Sequence, residues 1–76
     1  MAVRSRGNAE IRWDPENLHD GRNTPYFANQ LKAAGFDPIL KPDPEIKSIE
    51  LRVGDEVVSG ETAVVKRIFE LMRDAE

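Results

Sequence analysis

Seventy-six residues, a formal net charge of -3, 39% hydrophobic side chains and no cysteine set narrow bounds. A chain of this size buries only about 60% of the surface it exposes when unfolded, enough for one small core and a poor basis for an enclosed active site. The lack of cysteine excludes disulfides, thiolate metal sites and a cysteine nucleophile. The acidic balance argues against nonspecific nucleic-acid or membrane binding, and no run approaches the ~18 apolar residues of a membrane span.

Residues 1–8 are small and polar and predict a flexible tail. From residue 9 to the end the sequence predicts a single domain. Ala9, Ile11 and Trp13 alternate with Glu10 and Arg12, the period of a strand with one buried face. Asp14-Pro15 ends it, because proline gives no donor to a ladder. Residues 14–23 follow as a polar connection containing Asp20-Gly21.

Thr24-Pro25 has the chemistry of a helix start, a hydroxyl cap before proline at the first helical position. Phe27, Leu31 and Ala34 then share one face, so the helix is expected over residues 24–34. Gly35 is its expected left-handed stop, with Phe36 making the hydrophobic contact of a Schellman motif. Prolines at 38, 42 and 44 exclude a central strand there. Ile39-Leu40 is therefore either a short edge strand or an extended linker.

Residues 46–59 read as a hairpin. Ile49, Leu51 and Val53 alternate with Glu50 and Arg52, and Gly54-Asp55 suits a type II′ turn. A two-residue loop sets Val58 opposite Leu51, whereas a three-residue loop sets Val57 opposite Val53, and the two registers exchange faces. Ser59 is the expected cap of a last helix, with Glu61 in the first turn, where a negative charge suits the dipole. Val64, Val65, Ile68, Phe69, Met72 and Ala75 form its apolar face, with Leu71 off the stripe. Lys66 and Glu70 are spaced to pair on the outside.

The fold expected is α+β, a small two-layer domain ordered β-α-(β)-β-β-α, with two helices on one face of a mostly antiparallel sheet. If the first crossover is parallel it should be right-handed.

Candidate chemistry is sparse. His19 is the single histidine, among Asp14, Glu16 and Asp20. The spacing fails the calcium-loop pattern, since His19 stands where a glycine is needed and Pro25 where a glutamate is needed. No metal and no cofactor are expected. Neither G-x-G-x-x-G nor a P-loop is present, and no hydroxyl has the context of a nucleophile. Trp13 reads as core. Tyr26 flanks its helix face and fits core or partner contact equally.

These features predict no enzyme. They fit a small cytoplasmic, non-catalytic protein-binding or regulatory module. Its partner is either another protein or a second copy of the chain. The interaction surface is expected on the charged sheet face, Glu50 and Arg52, or in the polar connection, Glu16, His19 and Arg22. The alternative is nucleic-acid binding through the N-terminal arginines, Arg4 and Arg6, and the hairpin, which two or three phosphate contacts would make weak and salt-labile.

Overall fold

The computed structural model describes residues 5–74. The elements are β1 (Asn8–Trp13), α1 (Leu18–Ala33), β2 (Asp37–Pro42), β3 (Glu50–Val53), β4 (Glu56–Ser59) and α2 (Glu61–Asp74). The four strands form one sheet in the order β2-β1-β3-β4. β1 runs parallel to β2 and antiparallel to β3, and β3 pairs antiparallel with β4. Both helices pack on one face, α1 over β1 and β2, α2 over β3 and β4. The expected two-layer α+β architecture is the observed one.

Ile39 and Leu40 do belong to a strand, and it lies at the sheet edge as its prolines require. The hairpin takes the two-residue register, with Leu51 opposite Val58 and Val53 opposite Glu56. Gly54 has φ +59 and, among the described residues, none other than glycine has positive φ, which fits a type II′ turn.

The first helix differs from the sequence reading. Residues 18–23 are helical rather than part of a loop, and Thr24 is not the cap. Asn17 caps α1, its Oδ1 accepting from the Asp20 amide at 3.1 Å. Asp14 prepares that start: its Oδ1 accepts from the Glu16 amide at 2.9 Å and its carbonyl from the Asn17 amide at 2.9 Å. Pro25 lies inside the helix, where its missing N–H frees the carbonyl four residues back. That carbonyl belongs to Gly21, and the buried Thr24 hydroxyl donates to it at 3.0 Å. Gly21 also packs closely on Trp13, whose Nε1 would stand 3.7 Å from a Cβ added there.

The far end of α1 follows expectation. Phe36 N–H reaches the Leu31 carbonyl at 3.0 Å, Gly35 N–H reaches Lys32 at 3.0 Å, and Gly35 has φ +96. This is the Schellman pair of bonds. Of the tail read over residues 1–8, residues 1–4 lie outside the described residues and Asn8 opens β1. Arg6 is built into the fold: its amide donates to Gly35 O at 2.8 Å. Its Nη1 donates to Ala34 O at 3.0 Å and Leu71 O at 3.1 Å, and its guanidinium lies 4.6 Å from the centre of the Phe36 ring. One cation thus closes the C-terminal ends of both helices, where helix dipoles favour positive charge.

The core is Ala9, Ile11, Phe27, Leu31, Ala34, Phe36, Ile49, Leu51, Val64, Ile68 and Leu71. Trp13, Val53, Val58, Val65 and Met72 pack against it. Tyr26 is exposed. α2 corrects the sequence reading in three respects. Ser59 ends β4, and the residue before the helix is Gly60, whose carbonyl accepts from Val64 N–H at 2.9 Å. Leu71 is buried at 4% exposure, whereas Phe69 is 55% exposed. Glu70 pairs with Arg67 at 3.6 Å rather than with Lys66. Ala75 lies outside the described residues.

Candidate functional site

Two places gather charged groups, one on each side of the sheet. On the face opposite the helices, strand register brings Glu10 beside Arg52 and Arg12 beside Glu50. Residues facing each other across an antiparallel pair project from the same face, so these four side chains form a charge lattice on the two central strands. Arg12 Nε bonds Glu10 within β1, and Arg52 Nη2 bonds Glu50 Oε2 at 3.2 Å within β3. Lys41 of β2 reaches Glu10 Oε1 at 3.6 Å, and Asp43 reaches Arg12 Nη1 at 3.6 Å.

The electrostatics follow from that geometry. The hydrogen bond from Arg12 holds the Glu10 carboxyl below the usual carboxylate range, against the opposing effect of desolvation. The same bond raises Arg12. A shallow depression on this face is lined by Asn8, Glu10, Arg12, Ile39, Arg52 and Gly54. Ile39 and Val57 stand on the flanking strands opposite Glu10 and Arg52, so apolar surface borders the lattice on both sides.

The second place is where the two helices begin. His19, in the first turn of α1, sets Nε2 2.9 Å from Glu61 Oε1 and 3.0 Å from Oε2. Glu61 is the first residue of α2. The hydrogen bond to Glu61 raises the His19 pKa above its ordinary value, with the Glu61 charge acting the same way. Asn23 Nδ2 lies 3.3 Å from His19 Nε2. The helices therefore run side by side in the same direction, with N-terminal ends joined through His19 and Glu61 and C-terminal ends through Arg6.

The five residues expected to form an interaction surface divide between these places. Glu50 and Arg52 lie in the lattice. Glu16 is exposed in the turn before α1, and His19 and Arg22 are exposed in its first turns. The structure does not bring the two groups together. Glu10, Arg12 and Lys41 join Glu50 and Arg52 on the open face. Glu10 and Arg12 were findable from their alternation with Ala9, Ile11 and Trp13. Glu61 is 42 positions from His19, and no local pattern signals that contact.

No protein-family model matches the chain, and neither a curated protein nor a solved structure matches it. Among the described residues no helix is long and apolar enough to cross a membrane.

Proposed function

We propose that the chain is a small intracellular, non-catalytic protein-binding or regulatory module, cytoplasmic in setting, whose interface is the open sheet face. The observation that carries this reading is the charge lattice of Glu10, Arg12, Glu50 and Arg52. It lies on a face that no helix covers among the described residues. Alternating signs bordered by Ile39 and Val57 suit a protein surface of complementary charge. A polyanion would favour one sign. The nucleic-acid alternative also loses support at Arg6, whose guanidinium is engaged with two helix ends and the Phe36 ring.

A charge exchange across β1 and β3 tests the reading. Exchanging all four charges (Glu10→Arg, Arg12→Glu, Glu50→Arg and Arg52→Glu) keeps opposite charges paired within each strand and across the two while inverting the pattern a partner meets. Folding stability should fall by no more than about 1 kcal/mol, since partly exposed pairs contribute little. Affinity capture from native cells, quantified by mass spectrometry, should lose the specific partner at least about tenfold, and sedimentation reports the same for self-association. Equal capture and equal association by the folded variant would place the interface elsewhere.

A further inference from the structure

The first turns of α1 and α2 hold three side chains of metal-binding type that lie far apart in sequence. One ligand atom from each of His19, Asp20 and Glu61 falls within 4.8 Å of the other two. His19 and Glu61 are exposed, and Asp20 is only 7% exposed. All three line one depression with Asn17, Lys47, Ser48, Ile49 and Gly60.

Asp20 is the informative member. It is the third residue of α1, from which a carboxylate ordinarily reaches back to the amide of the capping residue. That amide, of Asn17, instead donates to the Asp14 carbonyl at 2.9 Å. The Asp20 backbone N–H goes to Asn17 Oδ1. Among the described residues no hydrogen-bond donor reaches the Asp20 carboxylate, which is held nine-tenths buried against the depression. Its oxygens are not among the sealed, unpartnered polar atoms of the described residues; they open onto the depression, where an entering cation meets them.

The geometry points to a binding site for one divalent first-row transition-metal ion, of which zinc is the representative, held by His19 Nε2 and the carboxylates of Asp20 and Glu61. Zinc ligands lie about 2.0–2.2 Å from the ion, and hence roughly 3–3.5 Å from one another. His19 Nε2 and Glu61 Oε1, at 2.9 Å, are close to that spacing. The Asp20 side chain is fixed by burial, and the exposed His19 and Glu61 side chains have the freedom to close on it. In the metal-free protein a proton between Nε2 and the Glu61 carboxylate fills the same role, and the ion replaces it. One imidazole with two carboxylates favours zinc over magnesium. The Lys47 ammonium and the positive ends of two helices oppose the ion and lower its affinity. This reading is independent of the open sheet face on the other side.

The test is zinc titration of the untagged chain after chelator treatment, followed by calorimetry and by amide NMR. One ion should bind per chain, with saturating shifts concentrated at residues 19–21 and 60–62. His19→Ala and Glu61→Gln alter exposed side chains, so they should fold normally and each weaken binding by roughly tenfold or more. Lys47→Gln should tighten it, and magnesium at the same concentration should leave the spectrum unchanged. Asp20→Asn should also weaken binding, but its burial ties it to folding, so the exposed pair decides the outcome. Shifts that fail to saturate by millimolar zinc, that spread over the acidic surface, or that persist unchanged in His19→Ala would overturn the site.

Discussion

Leu71 and Phe69 lie two residues apart on α2 and have opposite environments, 4% and 55% exposed. Two adjacent stripes with helical spacing compete on this helix. Val64, Ile68 and Leu71 form one; Val65, Phe69 and Met72 form the other, one residue further round. The wide apolar arc shows that the helix is amphipathic, but α2 meets both the sheet and α1, and a partner on two sides fixes its rotation. Nothing local to residues 61–74 encodes where α1 lies, so Phe69 looked the better core residue. Leu71→Ala should cost about 2–5 kcal/mol, as truncation of a packed side chain does. Phe69→Ala should cost about 1 kcal/mol or less. Urea titration of both variants checks this, and a larger loss at Phe69 would rotate the helix back. The His19–Glu61 contact was hidden for the same reason, since it exists only once the two helices lie side by side.

At the scale of elements, the strands and the hairpin were legible because their information is local. Alternation at residues 9–13 and 49–53, a glycine turn and three prolines each act over a few positions. The start of α1 was obscured by two signals that usually agree. Thr24-Pro25 has the chemistry of a helix entrance, yet here Thr24 supplies the hydrogen bond that Pro25 removes, donating to Gly21 O. The true entrance is the quieter Asn17. Asn17→Ala should therefore destabilise the protein by about 0.5–2 kcal/mol and increase amide exchange at residues 18–21. Thr24→Ser keeps the hydroxyl and should have a smaller effect. Unchanged stability and exchange in Asn17→Ala would return the start of the helix to residue 24.

For the molecule as a whole, the arrangement is one layer of strands under one layer of parallel helices, with β1 in the interior of the sheet. The first three elements form a β-α-β unit, yet they do not form a closed core. Ile49, Leu51, Val64, Ile68 and Leu71 all come from later in the chain. A fragment of residues 1–43 should therefore be largely unfolded by circular dichroism and show collapsed amide dispersion by NMR. A cooperative melt from that fragment would show that α1, β1 and β2 suffice.

The central position of β1 also bears on how the protein is made. Trp13 completes the strand, but one neighbour ends at Val53 and the last buried contact of α2 comes from Leu71. At about 5–20 residues per second, translation from Trp13 to Leu71 takes roughly 3–12 s. Through most of that interval Ile11 lies on a nascent strand with at least one edge open to mispairing, so its exposure is governed by how quickly the ribosome delivers β3, which closes that edge, and then α2, which covers the face.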